Sequence, residues 1–212
     1  MFDFKGAIFD LDGTVADSNP VWEKIDRIYL KNHGISVSDR EITRFASLTY
    51  EECAAEFAKL GIKTDVPSLM SEFNRLAVIE YRTSVMLKHG AEEYLRKLKS
   101  EGKPIALATA SPASLYEPVL LHHNIYSLFD AFCTTDDVAR GKGFPDIYIL
   151  AASKIGVPVS QCAVFEDTLN GVIGAKNARA FTVGVYDKAS YSDKNEIMKI
   201  SDLYINSFDE LL

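Results

Sequence analysis

Gly6-Ala7-Ile8-Phe9-Asp10-Leu11-Asp12-Gly13-Thr14 is the stretch on which the reading of the chain turns. It begins as a short apolar run, GAIFDL at 6–11, and becomes acidic at its far end. Such a run, bounded by polar residues, is the pattern of a strand buried on both faces, as in parallel sheets covered by helices. Working outward, PIALAT at 104–109, QCAVFED at 161–167 and AFTVGV at 180–185 repeat the pattern, and DLYINS at 202–207 reads as a last strand. Helical patterns separate them. The segment 91–101 carries Tyr94, Leu95 and Leu98 on one face, 145–154 carries Ile149, Leu150 and Ser153, and 169–177 follows QCAVFED directly.

Strands alternating with helices predict βαβ units with right-handed crossovers. The expected fold class is α/β: a Rossmann-like three-layer α/β/α core with a mostly parallel sheet. Residues 18–84 break the rhythm. Ser18 or Asn19 can cap a helix with Pro20 in its first turn, and Val21, Ile25 and Ile28 follow at helical spacing. The segments 38–44, 50–60 and 67–82 are helical in pattern too. This predicts an all-helical cap at 18–84 inserted after the first strand, with 1–17 and 85–212 forming the core. Hinges are expected at 14–19 and 85–90.

The 212 residues suit one domain with a small appended unit, and 47% hydrophobic content suits a packed core. Thirty acidic against 23 basic residues give a net charge of -7. That balance argues against a nucleic-acid partner and an anionic membrane surface. No run approaches the roughly 20 apolar residues of a membrane span, and the first residues lack the apolar stretch of a signal peptide. Cys53, Cys133 and Cys162 lie among apolar neighbours without CxxC spacing, so reduced, buried thiols are expected. A cytoplasmic location is the default, and a monomer is the expected state.

Ligands of open α/β sheets bind beyond the carboxyl ends of the strands. Here those ends carry Asp10 and Asp12, then Thr109 and Ser111, then Glu166 and Asp167, with Lys142 in a loop before the last of these strands. Carboxylates gathered on one edge repel, and burying them without a counterion is costly. A divalent cation resolves this, and hard oxygen ligands favour Mg²⁺, which also accepts a substrate phosphate. A carboxylate such as Asp10 can attack phosphorus, while Lys142 and the metal neutralise the transferring oxygens. Gly13 and Thr14 leave the following backbone able to present N–H groups to an anion.

These residues resemble the motifs of the haloacid dehalogenase superfamily of phosphohydrolases. Asp10-Leu11-Asp12-Gly13-Thr14 matches the first motif, Thr109 in ALATAS the second, Lys142 in GKGFPD the third, and Glu166-Asp167 in FEDTLNG the fourth. They occur in family order, and the resemblance spans essentially the whole chain. It implies Asp10 as the nucleophile of an aspartyl-phosphate and Asp12 as general acid/base. It implies Thr109 and Lys142 as phosphate ligands, with Lys142 also orienting Asp10 and Ser111 as an auxiliary contact. Mg²⁺ would bind Asp10, the carbonyl of Asp12, and Asp167, with Glu166 beside them. The substrate would be a small phosphorylated metabolite.

The place of the helical insertion is similar to that in the subgroup of phosphoglycolate phosphatase and beta-phosphoglucomutase, whose caps close over the site and exclude water. A sugar-phosphate mutase is the alternative reading. Family mutases carry histidine where this chain has Trp22, and a cap-loop arginine where the loop at 46–52 has Tyr50. Losing those cations weakens the hold on a second phosphate. Trp22 and Tyr50 are the cap aromatics expected to face substrate. An inactive binding or regulatory protein is the third reading, and retention of Asp10, Asp12, Lys142 and Asp167 speaks against it. A chloride-releasing dehalogenase is disfavoured because that pattern lacks the second aspartate, which this chain keeps as Asp12. Proline commonly follows the motif lysine in the family, whereas Gly143 stands here.

Overall fold

The computed structural model describes residues 3–45 and 48–212. Its strands, in chain order, are β1 (Gly6–Phe9), β2 (Ala16–Asp17), β3 (Met86–Leu87), β4 (Ile105–Thr109), β5 (Ala131–Thr134), β6 (Cys162–Glu166), β7 (Phe181–Val185) and β8 (Leu203–Ile205). The helices are α1 (Asn19–Asn32), α2 (Asp39–Phe45), α3 (Tyr50–Lys59), α4 (Val66–Thr83), α5 (Ala91–Ser100), α6 (Ala113–His122), α7 (Asp146–Lys154), α8 (Leu169–Asn177) and α9 (Lys194–Ile200). The chain divides into two compact units, one ending at Asp17 and resuming at Met86–Leu212, the other Ser18–Val85.

The first unit is built on a six-stranded sheet in the order β5-β4-β1-β6-β7-β8, with every pairing parallel. Side chains alternate across the sheet, so each strand feeds two cores. One face presents Ile8, Ala106, Ala108, Cys133 and Val164, covered by Ile147, Tyr148, Ala151 and Ala152 of α7 and Ala175 of α8. On the other face Phe9 stacks on Phe165 with ring centroids 4.3 Å apart, and Tyr94 and Phe208 pack against both. This is the three-layer core expected from the sequence.

Two elements lie outside the sequence expectation. The edge strand β5 has only four residues with alternating burial, so it shows no continuous apolar run. Its outward Phe132 is kept in place by stacking on Tyr116 and Tyr126. The second is the antiparallel ribbon of β2 and β3, pairing Ala16 with Leu87 and Asp17 with Met86, where hinges were expected. Two-residue strands are too short to show periodicity. The buried face of α7 also differs from expectation. Ile149 is 49% exposed, and the face against the sheet is Ile147, Tyr148, Ala151 and Ala152. Both stripes satisfy helical spacing, and the alanine stripe wins because it lets the helix approach the sheet closely.

The second unit is helical, as expected, with no strand among its described residues. Pro20 lies in the first turn of α1, and Ser18 occupies the N-cap position without a side-chain cap bond. Thr49 and Glu52 form a capping box on α3, and Asp65 caps α4 through the Ser68 N–H. Tyr29, Phe45, Phe57 and Phe73 interlock as its aromatic core. The three cysteines are buried and unbridged. None of the described helices is long and apolar enough to cross a membrane.

Candidate active site

The parallel sheet places Asp10 one residue beyond β1, Thr109 at the end of β4, Glu166 at the end of β6 and Asp167 just after it. Register sets them side by side. Phe9 pairs with Phe165, and the Asp10 N–H donates to the Phe165 carbonyl at 3.0 Å. Lys142 reaches in from the loop between β5 and α7. Its Nζ lies 2.5 Å from Asp10 Oδ1 and 2.5 Å from Glu166 Oε1.

Asp10, Glu166 and Asp167 are all buried, and each brings a carboxylate oxygen within 4.8 Å of the others. Three buried acids around one lysine leave negative charge in excess. Burial pushes the Asp10 carboxyl from its ordinary 3.8 up to about 7, with Glu166 and Asp12 adding to the rise against the pull of Lys142. Asp167 is also driven well above the usual range, by burial first and then by Asp10 and Glu166. Burial alone would lower the Lys142 ammonium, but its two carboxylate partners hold it above its ordinary value, so it stays charged. Glu166 Oε1 also accepts from the Tyr148 hydroxyl at 2.8 Å, while Oε2 is buried with no hydrogen-bond partner among the described residues. An orphan oxygen in an all-carboxylate group fits a small, hard divalent cation.

Around this cluster the hydroxyls fix the acids. Thr14 Oγ1 donates to Asp167 Oδ1 at 3.2 Å, and Ser190 Oγ lies 3.5 Å from Asp167 Oδ2. Ser111 Oγ donates to Asp12 Oδ2 at 2.6 Å, and the Ser111 N–H donates to Thr109 Oγ1 at 2.9 Å. Asp12 is only half-buried, unlike Asp10. The backbone after Asp12 departs from expectation. The Gly13 N–H donates to the Ala16 carbonyl and the Thr14 N–H to the Leu11 carbonyl, so the turn itself uses both groups. Ser111 likewise directs its proton to Asp12.

Two glycines of α8 make room for the cluster. A Cβ at Gly171 would lie 2.1 Å from Glu166 Oε2, and one at Gly174 would lie 1.9 Å from the Lys142 carbonyl oxygen. Those approaches are closer than any side chain permits. Tyr148, Gly171, Gly174 and Ser190 are site residues that the sequence reading missed. The glycines had a signal, since NGVIGA puts two of them three apart in a helix directly after the acidic pair. Tyr148 and Ser190 had none.

Trp22 and Tyr50 belong to the helical unit. There they line a pocket of about 420 Å³ together with Asp26, Phe45 and Phe73. Of the loop at 46–52, Ala46 and Ser47 lie outside the described residues.

Two outcomes follow from this geometry. Gly174→Ala forces the Lys142 loop away, and is expected to lower stability by about 2 kcal/mol and kcat/KM by at least about tenfold. Urea melts and turnover measure both. Because native Asp10 holds its proton up to about pH 7 while the unfolded chain releases it near 3.8, the native state binds more protons across that window. In metal-free buffer, stability is therefore lost as pH rises from about 4 to about 7, as thermal melts would record.

A family model described as haloacid dehalogenase-like hydrolase matches residues 4–179. The validoxylamine A 7'-phosphate phosphatase of Streptomyces hygroscopicus subsp. limoneus is 30% identical over 203 residues, covering 92% of this chain and 93% of that protein. Hexitol phosphatase B of Escherichia coli (strain K12) is 27% identical over 209 residues, 97% of this chain and 93% of its own. A crystal structure from Thermotoga maritima, assigned as a beta-phosphoglucomutase, superposes with a TM-score of 0.85 over 95% of this chain and 94% of that one, at 24% identity, and so shares the fold. With the strand-end acids and Lys142 in place, the chain belongs to the haloacid dehalogenase-like hydrolase family and is a phosphatase within it.

Proposed function

We propose that the protein is a Mg²⁺-dependent phosphatase of a small phosphate monoester, of the sugar- or polyol-phosphate kind that the names of its relatives describe. The observation that carries this reading is the buried group of Asp10, Glu166 and Asp167 around Lys142, beside a half-buried Asp12 held by Ser111. Asp10, Asp167 and Glu166, with the backbone carbonyl of Asp12, are the groups that would hold Mg²⁺. When bound, the ion would supply positive charge to the phosphoryl oxygens and keep Asp10 ionised.

The chain's own residues then divide the work. An Asp10 oxygen forms a bond to phosphorus as the ester P–O bond breaks, giving an aspartyl-phosphate and an alkoxide. Asp12 donates a proton to that alkoxide, which leaves as the alcohol. Asp12, now a carboxylate, takes a proton from water as the water oxygen attacks phosphorus. Breaking the acyl-phosphate bond restores Asp10 and releases inorganic phosphate. Lys142 and the Thr109 hydroxyl face the phosphoryl oxygens with fixed donors, and Ser111 aligns Asp12. Gly13 and Thr14 serve by shaping the turn and holding Asp167. Trp22 and Tyr50 contribute from the helical unit to substrate choice.

Asp10→Asn keeps the side chain's shape and removes the nucleophile. It should cut hydrolysis of p-nitrophenyl phosphate at least about a thousandfold while the melting curve stays cooperative. Normal hydrolysis by that variant would sink the assignment. With the native protein, EDTA should stop turnover and added Mg²⁺ should restore it, and unchanged activity in chelator would remove the metal.

A further inference from the structure

The pocket in the helical unit contains one side chain whose setting the phosphatase reading does not explain. Asp26, on α1, is 2% exposed, and its Oδ1 is buried without a hydrogen-bond partner among the described residues. Trp22, one turn earlier on the same face, and Phe45, Tyr50 and Phe73 supply aromatic wall, with Glu51 as the other charged residue of the lining. Two acids and no Lys, Arg or His therefore line the pocket among the described residues. The neighbouring charge that acts on Asp26 is Glu23, of the same sign, and burial together with that repulsion pushes the carboxyl up to about 7.

An ionised carboxylate buried with no counter-charge weakens the fold that holds it, and Asp26 relieves this by keeping its proton up to about pH 7. A core that needed only shape would be served by leucine at this position. The pocket is open to a ligand of about 420 Å³, so the missing partner can come from solution. Its chemistry is constrained. Two acids repel an anion. A neutral hydroxyl satisfies one oxygen and does nothing to favour the ionised form of a carboxyl that burial leaves about half protonated at neutral pH. A hard metal ion needs six or more oxygen ligands, and most of this wall is aromatic carbon. An organic ammonium meets both halves of the wall, pairing with the carboxylate and lying against ring faces.

We propose that the helical unit binds a small organic ammonium in this pocket, with Asp26 pairing with the charged nitrogen and Trp22 and Tyr50 flanking the carbon body. The proposal goes beyond the phosphatase reading and does not rest on it, because binding is read without turnover.

Trp22 is the one tryptophan of the chain, so its emission reports on the pocket directly. Cyclohexylammonium and cyclohexanol share a ring and differ in charge. At pH 8, where Asp26 is mostly ionised and the amine still charged, the native protein should show a saturable change in Trp22 emission with both, at least about tenfold tighter for the ammonium. Asp26→Asn keeps the size and removes the charge, and should bring the two affinities within about twofold of each other. Equal affinities in the native protein, no saturable response to the ammonium, or a preference that survives Asp26→Asn would each overturn the proposal. The native comparison decides by itself should the variant fail to fold.

Discussion

One lysine among three buried carboxylates is the constraint on which the rest of the catalytic unit depends. Lys142 Nζ touches Asp10 and Glu166 together, and Asp167 shares the same enclosure. One positive charge cannot balance three negative ones, and burial magnifies the imbalance. The raised Asp10 and Asp167 carboxyls are its direct expression. A fold built for stability alone would avoid this arrangement. On the proposed function the arrangement has a use, because the deficit of positive charge is what would draw a divalent cation in. Sites of this kind concentrate strongly perturbed groups for that reason.

The surrounding architecture keeps those acids from relaxing apart. Tyr148 and Lys142 fix one oxygen of Glu166, Thr14 fixes Asp167, and Ser111 fixes Asp12. Gly171 and Gly174 let α8 press against the Glu166 carboxylate and the Lys142 backbone at distances no side chain allows. The helix thus acts as a wall behind the charges. Moving it outward by the radius of one methyl group would enlarge the enclosure and loosen the grip of Lys142.

Much of this was legible in the sequence because strand ends are legible. GAIF, IALAT and CAVFE are continuous apolar runs, and a parallel sheet requires their carboxyl ends to share an edge, so Asp10, Thr109 and Glu166 had to meet. Lys142 was legible through its motif and not through any periodicity, since it stands in a loop. What escaped was short or ambiguous. Strand β5 alternates at an edge, the β2–β3 ribbon pairs two residues with two, and α7 carries two stripes of equal spacing. The hydrogen bond of Tyr148 to Glu166 spans a helix and a strand 18 residues apart, a tertiary fact with no local signature. Asp26 escaped for a different reason. A charged residue within a helical pattern reads as solvent-facing, and only packing reveals that it is enclosed.

The precision with which Asp10 is held comes from the side of the sheet that has no polar site. Phe9 and Phe165 are register partners whose rings stack at 4.3 Å, with Tyr94 and Phe208 packed against them. The next residues along are Asp10 and Glu166. Successive side chains point to opposite faces, so a slip of one residue in either strand would bury a carboxylate in the aromatic layer and drive a phenylalanine into the packed opposite face. The stacked pair makes that slip prohibitively costly, and the Asp10 N–H to Phe165 carbonyl bond extends the register one step past the end of β1. Electrostatic preorganisation requires that charged groups not move as the reaction proceeds. Here the placement of Asp10 relative to Glu166 and Lys142 derives from apolar packing one residue away, which is why apolar and acidic residues fall on adjacent positions of the same strands.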